Sequence, residues 1–383
     1  MVNITDKSKC TGCTACKQIC PHNAIDMQFD ECGHSYPNVN YELCVNCGLC
    51  EKICPILRKD KLPKDVDLDS LPVFSVFNKD ADVRKRSTSG GIFSLIAEYV
   101  INKKGRVYAS RFDENYHIFH DCFDSIEQID PFRGSKYAQS DLKNVFREIR
   151  DDLKTGKTVL FVGAPCQVAG LKSFLLKPYE NLITCDFVCM GISSPVIWEE
   201  YLDAYWSKES IKRIFFKDKR DGWHNWKFLV EDTAGEHLTL GVKDPFFFSY
   251  LYHISFRPSC MQCSFRTCRR VSDFTLADCW GIDKVNPLFD DNKGCTALIL
   301  QSEKAKEIFE TIKDFMNVLD YDIKYVKTHN PYITKKIENH FLQPVFYKIY
   351  KKNGAKDALN YVLNYKLTLR DKIMLKFQKL LSV

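Results

Sequence analysis

Four cysteines, Cys10, Cys13, Cys16 and Cys20, fall within eleven residues, and Pro21 closes the run. The same spacing, C-x2-C-x2-C-x3-C-P, returns at Cys44, Cys47, Cys50, Cys54 and Pro55. Thiolates are soft anionic ligands that suit iron bound to sulfide. Two short gaps let one loop present three sulfurs to a cubane, while the fourth cysteine, ahead of the proline, turns toward the other cubane. The spacing therefore predicts one 4Fe–4S cluster on Cys10, Cys13, Cys16 and Cys54, and a second on Cys44, Cys47, Cys50 and Cys20. Gly12 and Gly48 are expected to ease the tight loops. Structural zinc prefers two separated cysteine pairs to four cysteines in one run. Cys32, between the runs and outside the motif, reads as an inert thiol.

Residues 1–58 thus look like a bacterial-type two-cluster ferredoxin with internal pseudo-symmetry. Adjacent clusters pass single electrons but bind no substrate, so the rest of the chain must hold the other end of the wire. The whole has 383 residues, enough for two or three domains. It is 45% hydrophobic and 27% charged, the composition of a soluble globular protein. No apolar run approaches the length of a membrane span. The opening residues lack the charged-then-apolar pattern of a signal peptide. The expected compartment is the cytoplasm, where disulfides are rare and eighteen cysteines point to metal. A net charge of +6 without basic clusters interleaved with aromatics argues against nucleic-acid binding.

The elements that position these groups follow from patterning. Residues 59–72 are charged, contain prolines and read as a linker. From Val73 strands and helices alternate, which predicts a mixed α/β (α+β) fold: a small ferredoxin domain, a larger domain over 73–302, and a helical basic region over 303–383. Strands are expected at "VFSVFN", "RVYASRF", "TVLFVG", "RIFFK", "KFLVED", "DFTLADCWG" and "CTALIL". Helices are expected over 91–101 and over 140–156, the latter with Ser140 as N-cap and Gly156 past its end.

Four stretches carry further chemistry. In "RKRSTSGGIFSL" small hydroxyl residues and two glycines open a helix behind Arg84, Lys85 and Arg86, which suits either an anion or an ordinary capped helix. "PFRGSKYAQSDL" offers Arg133, Lys136 and Tyr137 as a phosphate and ring clamp, or an exposed loop. "VLFVGAPCQVAGLKSF" places Cys166 at a strand–turn–helix, where α/β folds bind ligands, though a buried structural cysteine fits too. "RPSCMQC" holds Cys260 and Cys263 as C-x2-C, ambiguous among zinc, a cluster and a redox dithiol, with Cys268 and Cys279 downstream. Neither a G-x-G-x-x-G nor a Walker A motif occurs.

Taken in order, "STSGG", "RGSKYAQS", "GAPCQVAGLK", "DFVCMGISSP", "FFKDKRDGW", "RPSCMQC", "SDFTLADCWG" and "DDNKGCTALIL" resemble the beta subunit of coenzyme F420-reducing hydrogenases and dehydrogenases. The resemblance covers most of residues 73–300. It implies FAD, a third 4Fe–4S cluster on Cys166, Cys189, Cys260 and Cys263, and hydride exchange between flavin and a deazaflavin or another small-molecule donor or acceptor. FAD would lie against Ser89, Gly90, Gly91, Ser135, Lys136 and Tyr137, near Asp278, Trp280, Lys293 and Gly294. Lys136, Lys293 or Arg133 would stabilise the anionic reduced flavin. Ala277 and Cys279 depart from the family's usual Gly and Phe, so that Cys268 or Cys279 could replace a ligand. The expected function is an iron–sulfur flavoprotein oxidoreductase working with a redox partner protein or small molecule. The alternative is an electron-transfer adaptor on a larger enzyme, such as one in polysaccharide assembly. A redox-sensing or structural protein is a third reading. In "KLTLRDKIMLKFQKLLSV", residues 366–383, Leu369, Ile373, Phe377 and Leu380 share a helical face that could rest on a membrane surface or on protein.

Overall fold

The computed structural model describes residues 6–366. The expectation for residues 366–383 falls almost wholly outside them. In the N-terminal lobe β1 (Ile25–Phe29) and β2 (Ser35–Val39) form an antiparallel hairpin, with short helices at Ala15–Ile19 and Leu49–Lys52. The larger body contains β3 (Val73–Asn78), β4 (Arg106–Phe112), β5 (Ile118–Phe123), β6 (Val159–Val162) and β7 (Leu182–Phe187). It continues with β8 (Arg213–Asp218), β9 (Lys227–Glu231), β10 (Glu236–Thr239), β11 (Phe274–Asp278), β12 (Thr296–Leu300) and β13 (Met316–Asp320).

Eight of these strands make one sheet in the order β13-β3-β12-β11-β7-β6-β4-β5. The inner strands β4, β6, β7 and β11 run parallel, and the flanking strands pair antiparallel. An inner parallel strand is covered on both faces, which is why "VLFV" is apolar throughout. Leu160 packs with Leu95, Ile96 and Ile308 on one face, while Val159 and Phe161 pack with Phe146, Leu171 and Phe174 on the other. Helices Ile92–Asn102 and Glu303–Ile312 cover the first face, and Val145–Lys154 and Pro165–Leu175 the second. The strands β8, β9 and β10 form a smaller antiparallel sheet, whose inner residues pack with those of helices Pro195–Tyr205 and Ala355–Leu363.

Two expectations need correction. The helix expected from Ser140 begins at Val145. Asp141 is instead tied into the sheet edge: its N–H donates to Ile118 O at 2.9 Å, and His120 N–H donates to Asp141 O at 2.8 Å. Residues 140–142 are therefore held extended and cannot wind into a helix. The region after 303, expected to be helical, also contributes β13, with Val318 opposite Val76. Met316 packs into the core on one face of the sheet and Leu319 against the cluster on the other, while Val318 is left exposed on this edge strand.

The ferredoxin-like lobe docks through apolar and polar contacts. Ala15 and Ile53 are buried beside Phe146 and Val168. Burial of a side chain such as Ile53 contributes about 1.5–3 kcal/mol. Gln18 Oε1 accepts from Phe146 N–H at 2.9 Å, and Arg147 Nε donates to Gln18 O at 2.6 Å. Among the described residues no helix is long and apolar enough to cross a membrane.

Candidate functional site

Each N-terminal cysteine loop turns through left-handed backbone at two steps. In the first loop these are Gly12 (φ 68°) and Thr14 (φ 58°); in the second they are Asn46 (φ 54°) and Gly48 (φ 73°). The steps are equivalent by spacing, so each loop spends its glycine on a different one. The reversals fold the three cysteines inward. One hollow is lined by Cys10, Cys13, Cys16 and Cys54 with Met27 and Pro55. The other is lined by Cys20, Cys44, Cys47 and Cys50 with Ile25 and Val39. Each hollow takes its fourth cysteine from the opposite run, the exchange the spacing predicts. Burial, followed by the neighbouring sulfurs of Cys54 and Cys10, pushes the Cys13 thiol up to about 12.

The two hollows differ in setting. Cys47 is exposed, and Tyr41, Leu43 and Val45 beside it are 71%, 50% and 60% exposed, so this group is the outer one. The Cys10 group faces the body. Gln139 Nε2 donates to Thr11 O and Gly12 O at 3.2 and 3.3 Å, and Arg257 Nε donates to Cys10 O at 2.8 Å. A Cβ added at Gly170 would lie 3.1 Å from Cys13 Sγ.

A third group gathers at the carboxyl edge of the parallel strands. Cys166 follows β6 at the start of the Pro165–Leu175 helix, Cys189 follows β7, and Cys260 and Cys263 come from the Pro258–Met261 turn and the residues after it. All four are half-buried. The Cys166 thiol is raised far above its ordinary value by burial first, then by the sulfurs of Cys263, Cys189, Cys13 and Cys260. Cys13 of the inner group therefore neighbours the third group.

The two cysteines that local spacing held open as replacements lie in another apolar cluster, with Cys295 and Ala277. Cys279 Sγ and Cys295 Sγ share the Ser75 hydroxyl at 3.2 and 2.7 Å, and the Cys268 amide donates to Asp65 Oδ1 at 2.7 Å. Among the described residues no three His, Cys, Asp or Glu side chains are arranged to hold a single metal ion.

The residues expected around a flavin come together from four segments. Ser135 N–H and its hydroxyl contact Thr88 Oγ1 at 2.9 and 3.2 Å, and the Ser89 hydroxyl donates to Cys295 O at 2.6 Å. Gly90 N–H donates to Thr296 Oγ1, and a Cβ at Gly294 would lie 2.8 Å from Ser89 O. Asp278 pairs with Lys217 at 2.7 Å; burial alone would lower this amine, but Asp278 and Tyr137 hold it above its ordinary value. Trp280 stacks on Trp223 at 4.4 Å. Two expected cations are turned inward: Arg133 bonds Ser94 Oγ and pairs with Asp130, and Lys136 Nζ donates to the carbonyls of Pro131, Phe132, Arg133 and Gly134. Burial lowers the Lys136 amine to about 7.

Lys217 and Lys219 were not among the residues singled out by sequence. Lys219 Nζ donates to the carbonyls of Arg84, Ser89 and Lys293, between 2.7 and 2.9 Å, and burial and then Arg84 lower it to about 7. The signal available was K-x-K in "FFKDKRDGW", but it sits in the small sheet and reaches the site only through the fold. Among the described residues neither Lys136 nor Lys219 forms an ion pair with a carboxylate, and the N–H donors of both amines go to backbone carbonyls.

The chain is similar to several known proteins. Residues 156–320 match the model for the C-terminal region of the coenzyme F420 hydrogenase/dehydrogenase beta subunit, and residues 9–56 match the 4Fe–4S dicluster domain. The uncharacterized protein MJ1349 of Methanocaldococcus jannaschii is 24% identical over 214 residues, 47% of this chain and 58% of its own length. The uncharacterized ferredoxin MJ0722 of the same organism is 39% identical over 67 residues, 17% of this chain and 86% of its own length. A chain in a solved structure of the F420-reducing [NiFe] hydrogenase complex from Methanosarcina barkeri aligns with a TM-score of 0.45 at 14% identity. That alignment covers 76% of this chain and 88% of the other.

Proposed function

Because the chain belongs to the coenzyme F420 hydrogenase/dehydrogenase beta-subunit family, behind an N-terminal 4Fe–4S dicluster domain, we propose that it is an iron–sulfur flavoprotein oxidoreductase. In this reading Cys10, Cys13, Cys16 and Cys54 hold the inner cluster, and Cys20, Cys44, Cys47 and Cys50 the outer one. Cys166, Cys189, Cys260 and Cys263 hold a third. The domain division 1–58, 59–72, 73–302 and 303–383 belongs to the same proposal.

When bound, the clusters supply single-electron transfer and FAD supplies two-electron hydride chemistry with a deazaflavin-like or other small partner. The chain's own residues provide placement. Gly170 lets Cys13 approach the helix that carries Cys166. Ser89, Gly90, Gly91, Ser135, Tyr137, Asp278, Trp280, Lys293 and Gly294 line the flavin site. Lys219 and Lys136 hold the Ser89 carbonyl and the 131–134 loop, and would supply positive charge next to a bound flavin. Arg133 braces that loop on Ser94.

The observation that carries the reading is that Cys13 of the inner group neighbours Cys166, while Cys54 of the inner group neighbours Cys50 of the outer group, where Cys47 is exposed. Anaerobic purification with iron, sulfide and flavin counted per chain tests it. About twelve irons, three cubanes' worth, and one FAD are expected. Protein with about eight irons or without flavin refutes it in that part. The apolar rim of Tyr41, Leu43 and Val45 supports a second form of the same reading, in which the outer group docks on a larger redox enzyme that owns the substrate.

A further inference from the structure

Two of the least exposed cations in the molecule lie against the third cysteine group. Arg257, fully buried, donates Nε to Cys10 O at 2.8 Å, Nη1 to Gln139 Oε1 at 3.0 Å and Nη2 to Ser35 O at 2.8 Å. Its own carbonyl accepts from Cys260 N–H at 2.9 Å, so one residue joins the inner loop to the third group. Arg266, 8% exposed, donates to Met190 O, Cys260 O, Tyr332 O and Lys335 O, and its Nε has no partner. Every acceptor of both guanidinium groups is neutral. Among the described residues no carboxylate forms an ion pair with either. Arg270, also 8% exposed, reaches Cys189 too, after Arg266, but its charge is shared with the buried Asp186.

A buried cation without a counter-ion is costly. Arginine cannot escape that cost by losing its proton. What these positions lack is an anion, and four thiolates around an iron–sulfide core supply one. A positive charge fixed nearby in low dielectric favours the more negative, reduced form of such a core. The outer group receives much less: Arg147 Nη2 donates to Cys20 O at 3.0 Å, but Arg147 is half-exposed and screened by water.

We propose that Arg257 and Arg266 set a potential that rises from the outer cysteine group through the inner group to the Cys166 group, so that electrons run inward. The inference rests on reading Cys166, Cys189, Cys260 and Cys263 as a cluster site. In each step one group loses one electron and the next gains it. A low-potential one-electron donor protein at the outer group replaces what leaves. Arg257 acts on the inner and third groups together, whereas Arg266 acts on the third alone.

The test is an anaerobic redox titration of the full chain followed by electron paramagnetic resonance, with iron counted in the same samples. R266Q is expected to keep about twelve irons and to move one midpoint to a more negative potential, leaving the other two in place. R257Q is expected to lower two midpoints. R266K and R257K are expected to return most of each shift, which a merely structural role would not do. Twelve irons with wild-type midpoints in R266Q overturn the inference and leave the third cluster standing. About eight irons in the wild type overturn both. If R257Q loads less iron, R266Q decides.

Discussion

At the scale of single residues, the cysteine loops depend on backbone conformation as much as on sulfur. Gly48 sits at φ 73°, and a Cβ added there would meet nothing within 4 Å. Substitution therefore carries only the left-handed penalty, about 1–2 kcal/mol. Gly48→Ala should lower the thermal midpoint while leaving about twelve irons bound, as differential scanning calorimetry and iron analysis on one preparation would reveal. A wild-type midpoint would mean that the turn is not under this constraint. Thr14 accepts the same conformation in the other loop, a costly choice for a β-branched residue. Its hydroxyl accepts from Gln18 Nε2 at 2.8 Å, and Gln18 Oε1 in turn accepts from Phe146 N–H, so the docked body helps to hold it. Spacing alone reveals the cysteines, because each run packs three ligands of one group into seven residues. It does not reveal Thr14 or Asn46, whose role appears only when the two loops are superimposed by their geometry.

At the scale of elements, the path between groups rests on one helix. Gly170 stands one turn into Pro165–Leu175, and its missing side chain is where Cys13 packs, with Cβ and Sγ at 3.0 and 3.1 Å from the position a methyl would take. Gly170→Val should push the inner loop away from the Cys166 helix. Stopped-flow reduction by dithionite should then show the outer and inner groups filling as before, with transfer onward slowed several-fold. Equal onward rates in the two proteins would remove this contact from the path. How much of this is legible in the sequence varies by element. The strands "VFSVFN" and "RVYASRF" match β3 and β4 residue for residue, since runs of β-branched and aromatic residues bounded by turns leave little choice. The helix expected over 140–156 starts later than its pattern suggests because a good N-cap, Ser140, is outweighed by a tertiary bridge between Asp141 and the β5 segment. The third cysteine group draws on the ends of two strands and a distant turn, so no local spacing announces it; family resemblance alone points to its four members. Arg257 and Arg266 escape notice for a related reason: an arginine near a C-x2-C pair looks like surface charge until the fold buries it.

At the scale of the whole molecule, the buried basic groups leave a mark on stability. His34, His120 and His253 are lowered by burial to about 3, 4 and 4, and Lys136 and Lys219 are lowered, chiefly by burial, to about 7. In each case the unfolded chain binds the proton more readily than the folded one, so stability rises with pH between the folded value and the ordinary one. For the histidines that window closes near pH 6.5. Asp186 and Asp244, raised by burial to about 6, act in the opposite sense but only below that value. Between about pH 7 and 8 the two lysines are thus expected to make the flavin-free protein more stable at the higher pH, on top of a slope in the same sense from the cluster cysteines, which take up protons when unfolding releases the clusters. An anionic ligand beside the lysines would restore their ordinary protonation and remove their share of the slope. The difference between thermal midpoints at pH 7 and pH 8, measured anaerobically on the cluster-loaded chain, should therefore be smaller with added FAD than without it. A difference that FAD saturation leaves unchanged would show that the ligand's negative charge lies away from Lys136 and Lys219, and would move the flavin site off the surface these lysines support.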